Sequence, residues 1–172
     1  MSSEKDKYDL VFITDISVNE EVAEIIECYK DEKVYPKITL LDHHPTALEL
    51  NKYEWANVII KDKLIWSSVD FNADQEYKVS GTYLFYKWLN ENNYNMESIK
   101  CLGDQRNLSF FVETVRRYDT WEWKTIFNIE EPKLWNDLFY ILGRDIFMDK
   151  IFQKIQARME FDETDNLLLK LE

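Results

Sequence analysis

Apolar positions along this chain follow two rhythms, one in each half. Tyr8 to Thr14 (YDLVFIT), Lys37 to Leu41 (KITLL) and Trp55 to Ile60 (WANVII) are short, nearly continuous runs rich in β-formers. Such runs predict strands of a parallel sheet buried on both faces. Between the first two, Val22, Ile25, Ile26 and Tyr29 recur at i, i+3, i+4 and i+7, which predicts an amphipathic helix over residues 19 to 30. Ser17 and Glu20 stand in the S-x-x-E arrangement of a capping box ahead of it. Pro45 and Thr46 open a short helix before the third run. Strand, helix, strand, helix, strand implies a parallel sheet with right-handed crossovers.

From residue 79 the period turns helical. Leu84, Phe85, Trp88 and Leu89 share one face of residues 79 to 92, and Phe110, Phe111, Val112 and Val115 lie within residues 107 to 118. Two more helices are expected at residues 131 to 142 and 144 to 160, the last with a stripe of Ile151, Phe152, Ile155 and Met159. The tail from Asn166 carries three consecutive leucines and is expected to pack. The fold expected is α/β, a small parallel sheet of three or four strands in a three-layer arrangement with a helical C-terminal half. Residues 1–125 form its α/β domain and residues 126–172 a helical extension.

Composition sharpens this picture in two places. Gly and Pro number only 3 each, which argues against an all-β or loop-rich chain. The net charge is −12, whereas a protein that grips long nucleic acid by its phosphates shows a basic face. Small nucleotides, short oligonucleotides or a protein partner suit that charge better. Cys28 and Cys101 form no CxxC pair and read as reduced thiols. No run is apolar enough to span a bilayer, and MSSEKDKYDL lacks a signal core, so a soluble, cytoplasmic protein is expected.

Ligands of parallel α/β sheets bind at the carboxyl ends of strands. Asp15 follows the first strand there, and Asp42, His43 and His44 follow the second. Asp119 follows the helix that ends in Arg116, Arg117 and Tyr118. Carboxylates and imidazoles that converge on one cleft suit Mn²⁺ or a similar divalent ion. Each residue also has a plainer reading. An Asp at a strand end is often a cap or turn residue, and two adjacent histidines can simply be solvated. Arg116 and Arg117 can bind phosphate or form an ordinary solvated pair. Trp121 and Trp123 can stack on a base, although core packing suits at least one of them.

The order of these pieces carries more than any one of them. The run of ITDIS (13–17), then LLDHHP (40–45), then SGTYLFYKWL (80–89), then RRYDTWEW (116–123), taken together, resembles the region of motifs II, III and IV of the DHH phosphoesterases. The resemblance covers roughly residues 8 to 125, and the D-T-W after the arginine pair is most similar to the nanoRNase branch and related phage proteins. It implies a DHH-like α/β domain and a metal-dependent phosphodiesterase or nuclease using Mn²⁺ or Mg²⁺. Asp15, His43 and Asp119 are then the metal ligands. Asp42 orients the cluster, and His44 faces the substrate phosphate. Ser80, Gly81 and Thr82 start a helix behind the site, where Ser80 and Thr82 can meet an anion, as can Arg116 and Arg117.

Complete members of that superfamily open with a strand and loop that carry His and two Asp residues. Ahead of Asp15 this chain offers no His and only Glu4, Asp6 and Asp9 as acids. Three readings follow from the resemblance. One is an Mn²⁺-dependent phosphodiesterase acting on short oligonucleotides or nucleotides. Another is a descendant without turnover, a binding or inhibitor protein, phage-encoded in one version. The third is one half of a split enzyme. A missing strand would leave a sheet edge open to a second copy or a partner that supplies it.

Overall fold

The structure is a computed structural model that describes residues 8–30, 32, 36–65, 74–92 and 105–170. It divides into two compact units, residues 1–85 and 86–172.

Unit one is built on a three-stranded parallel sheet in the order β1 (Leu10–Thr14), β2 (Lys37–Asp42), β3 (Ala56–Val58). Leu10 pairs with Lys37 through Thr14 with Leu41, and Leu40 to Asp42 pair with Ala56 to Val58. The strands fall where the β-rich runs predicted them. Helix α1 (Glu20–Tyr29) and a 3₁₀ helix (Pro45–Lys52) connect them, the latter with Pro in its first turn. Ala23 and Ile26 of α1, Leu40, Ala47, Leu50, Trp55 and Val58 form the core on one side of the sheet, with Ile13 and Ile38 against it. On the other side Phe12 meets Phe85 edge to face at 4.8 Å. A short hairpin of β4 (Lys61–Asp62) and β5 (Tyr77–Lys78), which the apolar pattern did not signal, precedes α2 (Gly81–Glu91).

Two expectations about α1 are overturned. Its cap is Asn19, whose side chain accepts from the Val22 N–H at 2.9 Å; Ser17 lies too far ahead, and its hydroxyl turns to the Val18 carbonyl. The helix also presents a different face. Ala23 and Ile26 are buried, while Val22, Ile25 and Tyr29 remain 40%, 52% and 44% exposed. The apolar stripe is wider than the core that covers it.

Unit two is helical: α3 (Gln105–Asp119), α4 (Glu122–Thr125), α5 (Glu131–Leu142), α6 (Arg144–Gln156) and α7 (Glu163–Leu168). Trp135, Leu138, Phe147, Ile151, Ile155 and Met159 form its core, and Leu168 and Leu169 of the tail pack against it as expected. Helix α6 stops at Gln156, short of the expected residue 160, and Phe110 and Phe152 are exposed rather than packed. Asn107 ties α3 to the end of α6 by donating to the Ile155 carbonyl at 3.0 Å. The free thiol of Cys28 is exposed, and Cys101 lies outside the described residues.

Candidate active site

The chain turns sharply as β1 ends. Asp15 takes φ +61°, a left-handed conformation that Asp tolerates better than most residues, and donates its N–H to the Leu41 carbonyl at 3.1 Å. That places its carboxylate beside the end of β2. There Asp42 is completely buried, and its Oδ1 accepts from the His43 N–H at 2.8 Å and stands 2.7 Å from His44 Nδ1. One carboxylate oxygen thus fixes both the backbone turn and the ring of His44. With Nδ1 committed to Asp42, the half-exposed ring of His44 keeps Nε2 for a ligand.

His43 Nε2 stands 2.8 Å from Asp15 Oδ1. The His43 imidazole holds the Asp15 carboxyl below its ordinary value; partial burial opposes this, and the charge of both histidines and the Gly81 N–H reinforce it. Asp15 is therefore an anion at neutral pH. Asp15, His43 and His44 each offer a ligand atom, all within 4.8 Å of one another, which makes them a metal-competent group among the described residues.

Gly81 presses on this turn from the start of α2. A methyl group at Gly81 would stand 2.6 Å from Asp15 Cβ and 2.8 Å from its backbone nitrogen, closer than real contacts allow. Ser80 is buried, and its hydroxyl accepts from the Tyr83 N–H at 3.2 Å, so it acts as the cap of α2. Thr82 is exposed.

The remaining expected residues belong to unit two. Asp119 ends α3, and Trp121 follows it at φ +61°. Arg116 is fully buried rather than displayed. Its Nε and Nη2 each bind Glu113 at 2.8 Å, and its Nη1 binds Glu122. Burial lowers the pKa of its guanidinium, but Glu113 and Glu122 together more than offset this. Arg117 Nε binds Glu113 at 2.6 Å, and its guanidinium lies 4.0 Å from the Phe127 ring centre. The two arginines thus pin the end of α3 to α4 around the Asp119–Trp121 turn. Sequence reasoning passed over Glu113 and Glu122; the only signal for them was their spacing of three and six residues from Arg116.

No family model matches the chain, and no solved structure matches it. Oligoribonuclease NrnB of Bacillus subtilis (strain 168) is 37% identical to it over 173 residues, which is 99% of this chain and 38% of that protein. The chain thus spans well under half the length of that relative. With Asp15 and the Asp42-His43-His44 triplet at the ends of adjacent parallel strands, the chain belongs to the DHH phosphoesterase superfamily.

Proposed function

We propose that this chain is a divalent-metal-dependent phosphodiesterase domain acting on short oligoribonucleotides. The observation that carries the reading is the approach of Asp15 and His43 to 2.8 Å at the carboxyl ends of β1 and β2, with His44 in the same group. The chemistry of this donor set fits a divalent ion: a carboxylate oxygen and imidazole nitrogens suit Mn²⁺ and similar ions. Asp42 Oδ2 adds a buried carboxylate oxygen with no hydrogen-bond partner. Asp15 and His43 would hold the ion, and Asp119 joins them as a ligand on the motif resemblance alone. A bound ion would supply the Lewis-acid charge that polarises a phosphate ester.

The protein's own residues supply orientation. Asp42 fixes the His44 ring through Nδ1 and leaves Nε2 to meet a phosphate oxygen or carry a proton to the leaving group. Ser80 and Thr82 are assigned to the substrate side, with the Ser80 hydroxyl also capping α2. Arg116 and Arg117 are assigned to holding the turn and not to phosphate. The relative is named an oligoribonuclease, which fits a short RNA substrate and a strongly acidic protein. No helix among the described residues is long and apolar enough to cross a membrane. A reducing, cytoplasmic setting suits the free thiol of Cys28.

The test is hydrolysis of a labelled diribonucleotide and a short oligoribonucleotide with Mn²⁺, Mg²⁺ or chelator, by the native chain and by His43→Ala. Turnover that needs the ion and disappears in the variant is the expected result. Turnover indifferent to both would overturn the proposal.

A second reading has its own observation. Among the described residues β1 is the edge of its sheet, each of its positions is only half-buried, and the exposed Val22, Ile25 and Tyr29 lie on α1, the helix that follows it. An added strand and helix, from a second copy or another polypeptide, would cover both and could bring further ligands. In that reading the isolated chain binds metal or oligonucleotide without turning it over, and hydrolysis appears on association.

A further inference from the structure

Three rings stand in a column at the end of α3. Tyr118 and Trp123 lie nearly parallel, with centres 6.4 Å apart and planes at 11°; Trp123 and Trp121 follow at 6.1 Å and 27°. Trp123 is the middle ring. Trp121 ends the column and is 60% exposed. We propose that this column is a stacking platform for one nucleobase of a short single-stranded substrate, with the outer face of Trp121 as the contact surface. The assignment rests on the phosphodiesterase reading and adds to it the site where a base is held.

Two features of Trp121 have no explanation in the stability of the unit. A bulky aromatic at φ +61° and ψ 10° is a conformational outlier, and an open indole forgoes burial. Surrounding bonds impose this geometry. The Trp121 N–H donates to the Tyr118 carbonyl at 3.1 Å. Its own carbonyl accepts from the Lys124 and Thr125 N–H groups at 3.2 and 3.1 Å and from the Thr125 hydroxyl at 3.0 Å. The Thr120 hydroxyl donates to the Arg116 carbonyl at 2.8 Å, and Arg116 itself bridges Glu113 and Glu122 across the turn. Strain that the surroundings over-determine is characteristic of functional sites.

The ligand class follows from shape and charge. A flat, electron-rich ring at the end of a near-parallel column accepts another flat ring, and every base has such a face. A chain of net charge −12 gains little from bulk attraction of phosphates, so beyond the metal site a contact that does not depend on charge adds to its hold on an anionic oligonucleotide. Stacking is that contact, and Asp119, the candidate metal ligand, lies two residues before Trp121 on the same turn.

The test is calorimetric titration of the full chain, under conditions that block turnover, with a triribonucleotide and with triribonucleotides made abasic at each position in turn. Native protein is compared with Trp121→Ala, Trp121→Phe and Trp121→Asn, the last because Asn accepts the left-handed backbone. Alanine and asparagine should weaken binding of the full triribonucleotide by roughly 5- to 150-fold, and phenylalanine should restore most of it. The abasic probe at the stacked position should bind native protein and Trp121→Ala alike. Unchanged affinity in a folded Trp121→Asn, with hydrolysis by the native chain intact, would overturn the platform and leave the phosphodiesterase reading standing. Absence of both binding and hydrolysis in the native chain would overturn both. Loss of affinity that is equal for every abasic probe would assign Trp121 to a surface that does not hold a base, which also overturns the proposal.

Discussion

Gly81 and Asp15 touch so closely that no side chain other than hydrogen fits between them: a Cβ at Gly81 would lie 2.6 Å from that of Asp15. The atoms it would strike are backbone and Cβ, which cannot swing aside. Gly81→Ala should therefore push the Asp15 turn away from His43. We expect a loss of about 1–3 kcal/mol in urea unfolding, as in other overpacked sites. Mn²⁺ affinity by titration calorimetry should fall with it. Unchanged stability would mean that the turn yields easily and that the contact is incidental.

Asp42 is the hub of the same loop. Asp42→Ala would strand the His43 N–H and free the His44 ring, since Oδ1 serves both. Stranding a buried donor costs about 1–3 kcal/mol. Asp42→Asn keeps an acceptor oxygen and should recover most of the stability. If His44 acts through its orientation, both variants should lower kcat more than they raise KM. A change confined to KM would remove Asp42 from the chemistry.

Arg116 carries a prediction about stability alone. Arg116→Met removes the cation that Glu113 and Glu122 share, leaving Glu113 to Arg117 alone and Glu122 buried beside an apolar side chain. Breaking a buried ion pair from one side typically costs about 3–5 kcal/mol. Chemical denaturation should show this loss, and replacing all three residues by apolar ones should recover much of it. A loss below about 1 kcal/mol would mean that the carboxylates reach solvent or take up protons.

The tail is fastened by charge. Asp162 lies far below the ordinary carboxylate range; the Asp165 N–H is the main cause, burial opposes it, and Lys154 and Lys150 add to it. Burial lowers the Lys150 pKa, but Asp165 and Asp162 together raise it above its ordinary value. A depressed acid stabilises the fold above its unfolded value of about 3.9 and loses that contribution as pH falls through its folded value. A raised lysine stabilises below its unfolded value of about 10.4 and loses that contribution as pH rises through its folded value. Hydrogen exchange in Glu163–Leu168 should therefore be flat through neutral pH, once corrected for intrinsic rates, and should quicken at both extremes. Acceleration near pH 6 would contradict this pairing.

Helix α1 separates the two faces that its sequence merges. Ile26→Ala should cost about 2–5 kcal/mol, whereas Ile25→Ala, on the exposed side, should stay within about 0.5 kcal/mol. Equal losses would restore the face read from periodicity. Should Ile25→Lys also abolish a concentration-dependent dimer in sedimentation, the reading in which the edge of β1 takes a partner gains support.

The three strands were legible because short β-rich runs leave little choice of conformation, and the site loops because the first two of those runs end at Asp15 and Asp42. Val22, Ile25 and Tyr29 misled because periodicity reports which residues are apolar and not which are covered. Ser17 misled because a capping box is a local pattern that needs the helix to begin at residue 18, whereas α1 begins at Glu20 and Asn19, directly before it, takes the Val22 N–H. The β4–β5 hairpin was invisible because strands of two residues carry no period. The fate of Arg116 depends on Glu113 and Glu122, and nothing in a linear reading distinguishes a buried guanidinium from a displayed one.

The left-handed backbone at Trp121 also has an evolutionary reading. Glycine or asparagine would sit there with less strain and would expose less oil to water. A population selected for heat resistance alone should abandon tryptophan at this position early, whereas one selected for turnover should keep it. The rate at which position 121 changes under each regime would measure how much thermostability this protein trades for activity.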